Sequence, residues 1–195
     1  MAEAWQHLFA LVCGQNPAHT WSPGGALLPC CQRCTGLYAG AIVALLLHLA
    51  LRIRPSARFL QVHGLFLLQM VPLGFHWVPQ DALVRTWSGL LYGFGLVSFL
   101  WLLPGARVAR SGGADRGRWT YKTNRTYATY GTVLGLTLAA VPAMAAWGGV
   151  FVGRVLVVTT LAGLAVLGAL VTANLALGLA WLVSRRHRTR HDWAR

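Results

Sequence analysis

Charge is what this chain has least of. Of its 195 residues only 11% are Asp, Glu, Lys or Arg, and just 4 are acidic, against roughly 25% charged in an ordinary soluble domain. So few charges do not make the polar shell that a water-soluble fold of this length needs. The acids are scattered singly (Glu3, Asp81, Asp115 and Asp192), which excludes a run of carboxylates carrying protons across a bilayer. Four cysteines are too few for a disulfide-framework miniprotein. Cys34 is followed by Thr35, so the C-x-x-C-H of covalent haem attachment is missing. No glycine-rich phosphate loop and no hydrolase triad is assembled. No basic stretch precedes the first apolar segment and no small-residue cleavage site follows it, so a cleavable signal peptide is not expected.

What the chain has is hydrocarbon. Hydrophobic residues make up 56% of it and its mean hydropathy is +0.53, which excludes a disordered or collagen-like chain. A helix that crosses a bilayer needs about 20 mostly apolar residues, because its backbone must satisfy its own hydrogen bonds there. Five segments qualify: Pro29 to Leu51, Phe59 to Val78, Ala82 to Leu103, Tyr127 to Trp147, and Val155 to Val183. The last is long for one pass and reads as a single tilted or protruding helix. The expected fold is therefore an all-α, polytopic membrane bundle of about five helices over 29–183. An N-terminal segment, 1–28, precedes it and a basic tail, 184–195, follows. In that first segment Trp5, Leu8, Phe9 and Val12 fall at helical spacing, as in a helix lying on the membrane or on the protein itself.

The formal net charge is nevertheless +13, with a pI near 11.2. That balance alone would suit a nucleic-acid binder, but its distribution does not. Fourteen of the 17 basic residues fall in the loop 52–58, the loop 104–126 and the tail. Five passes put all three on one side and leave Arg33, Arg85 and Arg154 on the other. Cytoplasmic loops carry the Lys/Arg excess. The reading is an integral protein of the cytoplasmic membrane, N-terminus out and C-terminus in, with lipid as its surroundings and no nucleic-acid partner. Trp77, Trp87 and Trp147 at the outer helix ends and Trp101 and Trp181 at the inner ends form the matching aromatic belt.

Small residues and isolated polar groups supply candidate contacts. Gly36 with Gly40, Gly89 with Gly93, and Gly131 with Gly135 are G-x-x-x-G pairs, and Ala165, Ala169 and Ala173 repeat the spacing. Such spacing lets helices approach closely, and the first two pairs sit at the outer ends of their helices, where they can meet. His48 and His63 lie at similar depth near inner helix ends. They are candidates for a haem or quinone contact, or for interhelical hydrogen bonds, as are Gln61, Gln69, Thr172 and Asn174. Pro72 and Pro142 predict kinks.

All four cysteines lie at the outer mouth of the first span: Cys13, Cys30, Cys31 and Cys34. In the C-x-x-C of Cys31 and Cys34, the two thiols share a face of the first helical turns. A helix N-terminus and Arg33 both favour a thiolate there. Cys30 faces about 100° away from Cys31, so the two do not suit one metal ion. The loop Gly14 to Leu28 can fold Cys13 back over the pair. It contains His19, and His76 and Asp81 belong to the same side of the membrane.

The stretch from Cys13-Gly14-Gln15-Asn16-Pro17 through His19-Thr20-Trp21, and then Leu28-Pro29-Cys30-Cys31-Gln32-Arg33-Cys34-Thr35-Gly36-Leu37-Tyr38-Ala39-Gly40, resembles an uncharacterised prokaryotic membrane family, domain of unknown function 2085. Arg85 with Gly89 and Gly93 is similar to a later stretch of that family. The family's one Cys-His pair with its C-x-x-C implies a tetrahedral zinc site of three cysteines and a histidine. This chain departs from the pattern. Gly14 stands in place of that histidine, His19 in place of an arginine, and an acidic Asp-Gly motif near the end of the second span is missing. A fourth ligand must then come from His19, His76, Asp81 or water. Three readings of the cysteines follow. A disulfide or zinc clip can hold the N-terminal loop in a membrane subunit or binding protein. The Cys31–Cys34 pair can exchange electrons with a partner thiol or a quinone. Or Cys13, Cys31, Cys34 and a histidine can bind metal for transport, sensing or catalysis.

Overall fold

Glycine decides how this chain packs. Helix α2 (Gln32–Leu51) and helix α5 (Ala82–Ala109) touch backbone to backbone along their outer halves. A side chain on Gly36 would collide with the Thr86 carbonyl, one on Gly40 with that of Leu90, one on Gly89 with that of Arg33, and one on Gly93 with that of Leu37. The expected meeting of the two glycine pairs is thus what the structure has. The third pair differs: space around Gly131 and Gly135 is open, and Ala165, Ala169 and Ala173 are exposed. The computed structural model describes residues 2–53, 56–75, 77–109 and 120–192, with side chains over 6–53, 56–75, 77–101 and 124–181. Among them the regular structure is entirely helical.

Contact registers fix the direction of each pass. Residue numbers rise together along the α2–α5 contact, so those helices are parallel. Helix α3 (Ala57–Leu68) returns against α5, with Gly64 near Phe99 and Leu67 against Gly95. Helix α6 (Thr120–Trp147) runs against α5: the Trp87 indole donates to the Leu138 carbonyl at 2.8 Å, and the Phe94 and Tyr130 rings meet edge-on. Helix α7 (Val150–Asp192) is again parallel to α2 and α5. Gly163 lies on the Tyr38 carbonyl, and Asn174 donates to that of Leu100 at 2.9 Å. The chain therefore alternates direction through five passes.

Four stretches are long and apolar enough to cross a bilayer as single helices: Gln32–Leu51, Ala82–Trp101, Asn124–Trp147 and Val150–Trp181. The second expected span, Phe59 to Val78, is not one helix but two, α3 and α4 (Met70–Gly74). Pro72 is the cause, since it has no N–H to offer the Leu68 carbonyl and its ring crowds that oxygen. Gln69 between them keeps right-handed helical dihedrals and donates from its side chain to the Ser88 carbonyl at 2.8 Å. At 1.5 Å per residue the kinked run 57–74 still rises about 27 Å, which is how a return pass fits.

Other boundaries also move. Helix α2 begins at Gln32 rather than Pro29, because Cys31 is held extended (φ −67°, ψ 164°) by an isolated β-bridge to Thr20. Helix α5 continues to Ala109, and α7 continues through the basic tail to Asp192. Helix α1 (Ala2–Ala10) packs on the protein, not only on its surface. Phe9 is fully buried with its ring 5.8 Å from that of Tyr38, while Leu8, Leu11 and Val12 stay exposed. Half of the α2 and α5 spans is buried, against 28% of α6 and 22% of α7, so the parallel pair is the centre of the bundle. The outer helices turn large apolar side chains such as Leu136, Phe151, Val158 and Leu175 outward, as a bilayer environment requires.

Candidate metal centre

The centre is built where α1 ends and α2 begins. Burial of Phe9 anchors the end of α1, and the Phe9 carbonyl accepts from the Cys13 N–H at 2.8 Å. The loop then doubles back. Gln15, at a left-handed φ of 45°, donates its amide to the carbonyls of Gln6 and Pro29 at 2.7 and 2.9 Å. Asn16 caps the turn Pro17–His19 by accepting from the Ala18 N–H at 3.0 Å. Trp21 donates to the Thr86 hydroxyl at 3.0 Å, and Pro23 is buried against Gly153. The loop is thus pinned to α5 and α7, with Cys13 held over the start of α2.

There the sulfurs of Cys13, Cys31 and Cys34 all lie within 4.8 Å of one another. Cys31 is the N-cap of α2 and Cys34 lies one turn on, as their spacing requires. Cys13 is buried and the other two are half-buried. Its sulfur accepts from the Cys31 backbone N–H at 3.3 Å. The Cys31 and Cys34 thiols donate to it as well, which holds the Cys13 thiol far below its usual range despite burial. Cys30 turns the other way. It lies 3.4 Å from the Thr35 hydroxyl, and burial pushes its thiol up to about 12, leaving it a neutral packing group. All four are free thiols.

A cavity of about 260 Å³ opens beside the three sulfurs, walled by Gly14, Asn16, His19, Arg33 and Arg85 among others. Of the expected fourth ligands, His19 stands in this wall but outside the sulfur group. Asp81 is committed to α5, accepting from the Val84 N–H at 2.8 Å. His76 lies outside the described residues. A side chain at position 14 would meet nothing within 4 Å of its first carbon, so Gly14 leaves room where the family pattern has its histidine. Two roles are not legible in the sequence motifs. Arg33 straps α2 to the α4–α5 connection, donating to the Leu73 carbonyl at 3.1 Å and to the Gln80 amide oxygen. Arg85, expected in a packing motif with Gly89 and Gly93, is in the cavity wall. An arginine one turn before a close-packed glycine is the available signal.

His48 and His63 do converge, but on hydrogen bonds within the bundle. The His63 Nδ1 lies 2.8 Å from the Phe59 carbonyl, which can only accept, so Nδ1 carries a proton, and Nε2 pairs with the Tyr130 hydroxyl 2.7 Å away. The Nε2 of His48 pairs with the Ser98 hydroxyl at 3.0 Å. Both His63 nitrogens are thus engaged within the bundle, whereas the Nδ1 of His48 is buried without a partner among the described residues. Gln69 and Asn174 likewise bond across helices. Among the described residues Thr172 bonds only within α7, and Gln61 is exposed. Replacing Tyr130 by Phe is expected to leave the His63 Nε2 unpaired and cost about 1–3 kcal/mol, read as a lower midpoint of thermal unfolding in detergent.

Residues 13–99 match the model of a family described as "predicted membrane protein", domain of unknown function 2085. The match spans the cysteine loop, α2, the kinked return pass and most of α5. No curated protein and no solved structure matches the chain.

Proposed function

We propose that the segment matching this membrane family holds a divalent metal ion, zinc first, on Cys13, Cys31 and Cys34. The protein is then a metal-binding membrane subunit with its centre on the extracytoplasmic face of the cytoplasmic membrane. The observation carrying this reading is that three sulfurs, not two, meet within 4.8 Å. Zinc–sulfur bonds of about 2.3 Å in a tetrahedron put sulfurs roughly 3.8 Å apart, a small contraction from this arrangement. A disulfide would use two of the thiols and strand the third. Hydrogen bonds within the sulfur group lower the Cys13 thiol from its usual range, which favours the deprotonated form that a metal requires. The side rests on charge. Alternating passes put the ends of α2, α5 and α7 that lead into the three basic stretches of the sequence opposite the start of α2, and basic segments stay in the cytoplasm.

The same three clustered sulfurs also suit a second reading, thiol–disulfide exchange. One experiment separates the two. Protein purified without chelator is analysed for metal while its thiols are labelled with a membrane-impermeant reagent. The metal reading expects one zinc per chain, with Cys13, Cys31 and Cys34 labelled only after chelation. Stoichiometric labelling with no metal bound overturns it. A mixed disulfide trapped through Cys31 in Cys34→Ser would establish exchange instead.

A further inference from the structure

The fourth side of the cysteine group opens onto cations. Among the described residues no His, Asp or Glu atom joins the three sulfurs within 4.8 Å, and they face a cavity of about 260 Å³ that also receives Arg33 and Arg85. No carboxylate among the described residues lines that cavity. The guanidinium of Arg33 is anchored by Leu73 and Gln80, and its Nε is buried without a partner. Arg85 makes no side-chain hydrogen bond or ion pair among the described residues. Asp81, four residues before it, is spent on capping α5.

We infer that this cavity binds a small oxyanion, a carboxylate or phosphate group, which takes the fourth position on the metal and is gripped by Arg85. The inference rests on the metal reading above. Three thiolates around a divalent ion leave one net negative charge, and the two guanidinium groups exceed it by one, so a single anion balances the site. A metal with three protein ligands and an open position is the arrangement of an exchangeable site, whereas a purely structural zinc is closed by four. Arginine offers paired donors that match a carboxylate or phosphate edge. A volume just below the usual 300–1,000 Å³ of organic-ligand pockets suits a small anion or a single headgroup. Free anions and the phosphate of an anionic lipid share this chemistry.

The test uses the full chain loaded with cobalt(II) in an uncharged maltoside detergent. Thiolate-to-cobalt absorption reports the metal, and the d–d bands report its fourth ligand. Inorganic phosphate or acetate is expected to shift the d–d bands saturably. Arg85→Gln is expected to weaken that response about tenfold, the loss of one charged hydrogen-bonded contact, with cobalt stoichiometry unchanged. Gly14→His, placed in open space at the cavity rim, is expected to occupy the position and abolish the response. A shift with phosphatidic acid but not with soluble anions identifies the headgroup as the source. Cobalt–thiolate bands with no response to either anion source overturn this inference and leave the metal reading standing. An equal response in Arg85→Gln overturns the grip assigned to Arg85. Absence of cobalt–thiolate bands overturns both the inference and the metal reading.

Discussion

Gly89→Leu is expected to prevent the membrane domain from folding, while Gly131→Leu leaves it intact. Both replace a helical glycine with a better helix former, a gain of up to about 1 kcal/mol. At Gly131 nothing stands within 4 Å of the new side chain's first carbon, so that gain is all there is. At Gly89 the first added carbon already collides with the Arg33 carbonyl and crowds the backbone of Leu37, and backbone cannot rotate away. Overpacking of a close contact costs about 1–3 kcal/mol even where side chains give way, and here two helices must separate. Separation also withdraws Thr86 from Trp21 and Arg85 from the cavity, so the cysteine centre should go with the packing. The measurement is the fraction of monodisperse protein in detergent, with its thermal midpoint. Recovery of Gly89→Leu at the wild-type level and midpoint would show that α2 and α5 are not in backbone contact.

That contact is readable from the sequence alone, because two G-x-x-x-G pairs at the same end of two spans have few other uses in hydrocarbon. The convergence of Cys13 with Cys31 and Cys34, and the exclusion of Cys30, follow from helical angle and a turn-rich loop. Hydropathy, by contrast, counts apolar residues and is blind to a single missing N–H, so it draws the kinked α3–α4 return as one helix. The start of α2 is set by the bridge from Thr20 to Cys31, which no local preference at Pro29 reveals. Whether the face of Phe9 meets lipid or protein is left open by the sequence, for a physical reason. An amphipathic stretch at a bilayer surface has two apolar environments to choose from, lipid and protein, and sequence periodicity does not distinguish them. His48 and His63 are set at one depth by their spacing along the spans, but Tyr130, the partner of His63, lies 67 residues beyond it on a helix whose rotation only packing decides.

Cys13→Ser is expected to reduce bound zinc at least tenfold, and Cys30→Ser is expected to keep it at one per chain. The two residues are both buried cysteines, so loss of a buried sulfur as such cannot distinguish them; their surroundings do. Cys13 lies with Cys31 and Cys34 in the sulfur group and its thiol is lowered from the usual range by hydrogen bonds there, while Cys30 sits 3.4 Å from the Thr35 hydroxyl, a place a serine hydroxyl can also fill. Zinc binding to thiolate sites is worth on the order of 10 kcal/mol or more, and serine does not ionise to replace a thiolate. Since whatever binds only the folded state stabilises it, chelation should lower the thermal midpoint of wild type and Cys30→Ser but leave Cys13→Ser unmoved. Proton competition gives the same ranking. Ligand thiolates bind metal only when deprotonated, so zinc retention should fall as pH is lowered in wild type and Cys30→Ser alike. Loss of zinc from Cys30→Ser to the same degree would mean that the metal is held by a different set of sulfurs, and would move the centre away from the mouth of α2.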